Sequence, residues 1–303
     1  MKLQRLSTSI CLVLGTVLAI SNSAQAASFS TNVTADNYLK DSKGNPIADP
    51  ESNIWLKSIT QNGKTFSDFS LVNKAEIKSN TPISDLKVGD TSNPEAPGRN
   101  NSSGAASTDK GDKATSPISV SGINNPTGTE IAAFLGNKNL NNIIETEDTG
   151  SFAINLFFDS VIKADNLGVD NLLFWERGWN ETTKGNSDLG IRAIDDAGKL
   201  IGNFLKLDRK DQTFAGYSID TMEIDNTQKV GSWGVNLEQL GVTSLVGIQV
   251  TTNSSYNGPD FKVMARQSVP EPGTLLGLGV VTGLAFLRRR QSNQGSALKS
   301  GQN

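Results

Sequence analysis

A mainly β fold, an antiparallel β-sandwich of jelly-roll type, is predicted for residues 27–268 by three observations. Apolar residues recur at two-residue spacing, most plainly at Phe152, Ile154, Leu156 and Phe158, which places one face of a strand in a core. Comparable short runs are separated by turn-rich segments, the rhythm of a sandwich. The single cysteine, Cys11, lies in an N-terminal leader, so no disulfide is left to the remaining chain. Roughly 240 residues must then be held by burial, enough for one good core.

The leader has a basic start at Lys2 and Arg5, an apolar stretch Ile10–Ile20, and a small-residue cleavage site at Ala24 and Ala26. It reads as a signal helix over residues 1–26. Eleven apolar residues fall short of the roughly 20 that span a bilayer. A lipid-anchored start would need a cysteine at the cleavage point, where alanine and serine stand.

Strands are expected at Phe29–Thr34, Ile54–Ile59 and Phe66–Val72, with Asp41–Gly44 as the turn between the first two. Residues 79–116 shift to Ser, Asn, Gly, Asp, Lys and Pro and read as a disordered loop or linker. Thr129 is placed as the cap of a short helix ending at Leu135. Further strands follow at Leu172–Trp175, Gly190–Ile194, Leu200–Leu207, Tyr217–Ile224, Val230–Val235, Leu245–Thr252 and Phe261–Met264. Asp195–Gly198 has the residue types of a hairpin turn, and Gly241 closes a helical turn at Leu237–Leu240.

Of 28 basic and 31 acidic residues, six basic and one acidic fall in the terminal segments, which leaves 22 and 30 between them and a net charge of −8. That balance argues against nucleic acid as a partner, because no basic patch displaces counterions. The chain has no histidine. Catalysis through a Ser-His-Asp arrangement is therefore excluded, and a metal would be held by carboxylates, which suit calcium. No P-loop or dinucleotide loop is present. Glu176, Asp188, Asp195, Asp196, Asp208, Asp220 and Glu223 could in principle supply a glycosidase pair, but their spacing singles out none. Turn and strand-end positions explain them, so no catalytic residue is nominated and the chain is not expected to be an enzyme. No cofactor is assigned; the loop acids Asp195, Asp196, Asp208 and Asp211 are the alternative, a calcium site. Trp179, in the polar setting Gly178–Glu181, is the candidate exposed ring for stacking on sugar.

The tail holds three parts in order. Val269, Pro270, Glu271 and Pro272 precede an apolar run, Leu275–Leu287, which precedes Arg288, Arg289 and Arg290. The run predicts a membrane helix over 274–287. Thirteen residues reach about 20 Å at 1.5 Å per residue, so flanking residues and snorkelling arginines complete the span. The arginine cluster marks the cytoplasmic side, which leaves residues 27–268 exported. Residues 291–303 are a polar extension. The segment 269–290 resembles the PEP-CTERM sorting signal. Phrases in the body, Asp170–Arg177, Gln228–Val235 and Asn253–Asp260, resemble cyanobacterial exosortase-dependent surface proteins. The resemblance implies that an exosortase reads the Pro-Glu-Pro motif and processes the chain, with the membrane as a second partner. It implies a cell-surface or extracellular-matrix protein with a structural or interaction function. A carbohydrate-binding module meeting extracellular polysaccharide is the alternative, and a secreted glycoside-active enzyme the third reading.

Overall fold

The computed structural model describes residues 29–81, 106–119, 125–147, 149–223 and 226–267. Along them run β1 (Ser30–Ala35), β2 (Tyr38–Lys40), β3 (Pro46–Ala48), β4 (Ile54–Gln61), β5 (Lys64–Phe66), β6 (Phe69–Ser70), β7 (Val72–Asn80) and β8 (Ala106–Lys110). Helix α1 (Gly128–Leu135) and β9 (Asn142–Thr146) follow. The remaining strands are β10 (Phe152–Lys163), β11 (Leu172–Arg177), β12 (Leu189–Ile194), β13 (Leu200–Leu207), β14 (Thr213–Ile219), β15 (Gln228–Val235), β16 (Ser244–Thr252) and β17 (Phe261–Arg266). The protein is mainly β, as the alternation predicts.

A five-stranded sheet has the order β13-β12-β16-β10-β7, and a seven-stranded sheet the order β14-β15-β11-β17-β9-β8 with β6 also paired to β17. Their pairings are antiparallel, as between β10 and β16 or β11 and β17. The two sheets meet across one apolar cluster. The first supplies Ile154, Leu156, Ile191, Ile248 and Val250; the second supplies Leu172, Phe174, Trp233, Phe261 and Val263. Alternate residues of the seven-stranded sheet point the other way. Leu173, Trp175 and Met264 join Phe29, Ile54, Leu56 and Ile59 in a second cluster beneath the three-stranded sheet β1-β4-β5. The seven-stranded sheet is thus the middle of three layers, and all six residues of β11 are buried. Burial on both faces is why Leu172–Trp175 is an unbroken apolar run rather than an alternating one.

Trp175 fixes the outer layer to the middle one. Its ring meets Phe29 edge-on at 5.6 Å, and its Nε1 donates to Thr31 Oγ1 at 2.9 Å. At the end of β4, Gln61 Nε2 donates to Asp170 Oδ2 at 2.6 Å while its Oε1 accepts from the Asp170 amide at 2.8 Å. Burial pushes the Asp170 carboxyl up to about 6, against the pull of the Gln61 bond and of Arg266.

Three expectations are corrected. The helix cap is Thr127, not Thr129: Thr127 and Glu130 form the reciprocal capping box, a spacing that Thr129 does not have. The Asp41–Gly44 turn closes the small hairpin β2–β3 rather than joining β1 to β4. Most consequentially, the polar stretch read as loop contains β8, five buried residues paired along β9. The pattern Ala-Ser-Thr-Asp-Lys lacks the apolar signal of a strand because its charged residues are neutralised inside the protein. Residues 82–105 lie outside the described part.

Among the described residues no helix is long and apolar enough to cross a membrane. The predicted signal helix, residues 1–26, and the predicted membrane helix, residues 274–287, both fall outside those residues.

Candidate functional site

Two features of the surface and interior hold chemistry. The first is a groove of about 420 Å³ between the β2–β3 hairpin and the edge strand β14. Tyr38 stands on one wall, 51% exposed, with its hydroxyl accepting from the Ala35 amide at 3.0 Å. Phe214 stands on the other, 42% exposed. The pairing of β14 with β15 slips between Phe214 and Ser218, where Gly216 adopts a φ of 88°. Such a bulge re-aims side chains, and glycine carries the left-handed angle without strain. Tyr217 lines the groove from within. Its hydroxyl is buried without a hydrogen-bond partner, and burial holds it well above the ordinary tyrosine range.

Trp179 is not the open ring that its polar neighbours suggest. It is half-buried, with Phe214 stacked on it at 5.1 Å and 29°. Lys184 and Lys229 place their ammonium groups 5.7 and 5.4 Å from its centroid. Trp179 thus supports Phe214, which also has the Lys229 ammonium 5.4 Å from its centroid but is the more exposed of the two rings. Sequence reasoning missed Phe214 and Tyr38 because nothing local says that residues 38 and 214 face one another.

The second feature is a buried ion cluster in the seven-stranded sheet. Arg177, at the end of β11, approaches Asp260 at 3.0 Å and Asp109 and Glu145 at 3.5 Å each, and it also donates to Thr221 Oγ1. Asp109 comes from β8 and Glu145 from β9. Burial would lower the guanidinium's pKa, but Asp260 and Asp109 outweigh it and raise it further. Asp260 is itself pushed up by burial, against the attraction of Arg177. Carboxylate oxygens of Asp109, Glu145 and Glu223 lie within 4.8 Å of one another, a donor set that suits a hard cation. The guanidinium supplies positive charge at the same place.

Lys262 on β17 is a separate case. It is fully buried, donating to the Phe134 carbonyl near the end of α1 and to Asn137 Oδ1 at 3.3 Å. Burial alone holds its pKa far below the ordinary lysine range. A lysine depressed in the folded state contributes stability that is present above its unfolded pKa, about 10, and is lost as pH falls. Lys262→Met should therefore gain on the natural chain as pH is lowered from about 10 to 7. Urea midpoints at the two pH values check this, and parallel pH dependence of the two proteins would contradict it.

The acids named from sequence do not converge. Asp195 Oδ1 accepts from the amides of Ala197 and Lys199 in the β12–β13 turn, while Asp208 caps the short helical turn Arg209–Asp211 at the other end of β13. The calcium reading thus has its donors at opposite ends of one strand. Asp188 is bound by Arg209 at 3.0 Å and Lys206 at 2.7 Å. Asp220 accepts from Thr227, and Glu223 lies beside the buried cluster. Glu176 is fully buried, accepts from Gln212 Nε2 at 2.8 Å, and is held well above the carboxylate range by burial and then by Asp260.

The described chain leaves the sheet at Arg266, whose guanidinium meets Asp165 at 2.8 Å and the Asp170 carbonyl at 3.0 Å. The tail residues Val269, Pro270, Glu271 and Pro272, the arginines 288–290, and the cleavage alanines 24 and 26 lie outside the described residues. No curated protein and no solved structure matches the chain. Residues 268–291, beginning directly after the described chain, match the PEP-CTERM protein-sorting motif, so the chain carries that sorting signal.

Proposed function

We propose that the protein is an exosortase substrate delivered to the cell surface or extracellular matrix, where its sandwich acts as a structural or interaction module and not as an enzyme. The sorting motif at residues 268–291 carries the reading: it implies export and membrane-associated sorting before processing. Its place after β17 leaves the sandwich intact if the chain is cut beyond Gln267. The non-catalytic reading is supported by the absence of histidine and by the placement of the acids, since Glu176 is sealed in the interior and Asp188 is engaged by two cations. Intact mass of the native protein, compared between wild type and a strain lacking the exosortase, tests it. The expected result is a C-terminus near Pro270 only when the enzyme is present. A full-length chain retained in the membrane of both strains would overturn processing.

A further inference from the structure

We propose that the groove between the β2–β3 hairpin and β14 binds a neutral carbohydrate. This rests on the reading of the sandwich as an interaction module and names its ligand class. Three observations carry it. The groove has two aromatic side chains set on opposite walls, each fixed before a ligand arrives. Tyr38 is pinned by the Ala35 amide, and Phe214 by its stack on Trp179. Rings held this way lose little freedom on binding, and their flat faces suit the C–H faces of a pyranose.

The polar groups are of one kind. Tyr38, Ser218 and Thr227 are hydroxyl side chains on the lining, the Tyr217 hydroxyl being buried beneath it and the Thr227 hydroxyl donating to Asp220, and the residues that line it include no acid and no base. In a region with a net charge of −8, lining residues without charge disfavour an ionic ligand, because it would lose solvation there while the Lys229 ammonium, 5.4 Å from the Phe214 ring centroid, is already paired with Glu181 at 3.4 Å. Apolar walls with a few convergent hydroxyls are the composition of a small-ligand site, and about 420 Å³ is within the size range of such sites. The competing occupant, an extended apolar peptide added to the edge of β14, is disfavoured by the bulge at Phe214–Ser218, which breaks the even row of backbone groups that a new strand would need.

Affinity electrophoresis of the full chain in non-ionic detergent tests the proposal, with hydroxyethyl cellulose, arabinoxylan, soluble starch or mannan in the gel and alginate as the anionic comparison. The expected result is retardation by at least one neutral polymer and none by alginate. Phe214→Ala and Tyr38→Ala should each weaken that retardation roughly tenfold, the loss of about 1.4 kcal/mol. Phe204→Ala, at a residue 54% exposed on β13 and outside the groove, should leave it unchanged. Failure of every neutral polymer, or equal retardation of the natural chain and Phe214→Ala, would overturn the proposal. So would an apolar dye bound in a Phe214-dependent way by a chain that no polysaccharide slows, which would assign the groove to an apolar segment. The assay needs no exosortase, so its failure leaves the sorting reading standing, and failed processing leaves the groove testable.

Discussion

Arg177→Met is expected to destabilise the domain by about 3–5 kcal/mol at neutral pH, because it strands buried carboxylates without their cation. Asp109 is fully buried, Glu145 nearly so, and Asp260 reaches the guanidinium at 3.0 Å. Their attraction to Arg177 offsets the cost of taking four charges out of water; removing one partner leaves that cost exposed. The loss should shrink as pH falls, because Asp260, already pushed up by burial, loses in the variant the Arg177 attraction that opposes that rise and takes up a proton more readily. Guanidinium unfolding at pH 7 and pH 4.5 measures both parts. A variant within about 1 kcal/mol of the natural protein at pH 7 would mean that the cluster is compensated by something other than Arg177.

Trp175→Ala is expected to cost about 3–5 kcal/mol, the range for emptying a buried aromatic site. The effect should be uneven. Trp175 projects from the middle sheet into the cluster that holds the three-stranded layer, so its loss should loosen residues 30–66 before the main sandwich. Hydrogen exchange would show this as lost protection in β1, β4 and β5 with retained protection in β10 and β16. Thr31→Ala removes the hydrogen bond alone and should cost about 1 kcal/mol. Equal losses for the two variants would show that the indole's packing contributes nothing beyond its N–H.

Much of the fold is legible because burial writes itself locally into strands. Phe152, Ile154, Leu156 and Phe158 alternate because β10 has one face on the core. Leu172–Trp175 does not alternate because β11 has two covered faces. What cannot be read locally is β8 and the polar positions of β9, where Asp109, Glu145 and Asn142 sit inside the protein. Their burial is tolerated only through partners distant in sequence: Arg177 lies 68 residues from Asp109. A strand stabilised by such pairing has the composition of a loop. The sorting segment is the opposite case, a linear signal whose parts are adjacent, and it is recognisable without any structure. The groove falls between the two. Gly216 hints at a break in β14, but the partner wall is a hairpin more than half the chain away.

The position of β17 has a mechanical consequence. The sorting segment begins two residues after this strand ends, and β17 is held laterally by β11 on one side and by β9 and β6 on the other. Tension drawn through residue 268 therefore enters an interior strand, not an edge. Along the strand direction it loads the five register pairs between β11 and β17 together, in shear, so they must yield as a group and cannot be peeled one by one. Arg266 sits at the point of entry, clamped to Asp165 and to the Asp170 carbonyl, like the knot where a rope meets its anchor.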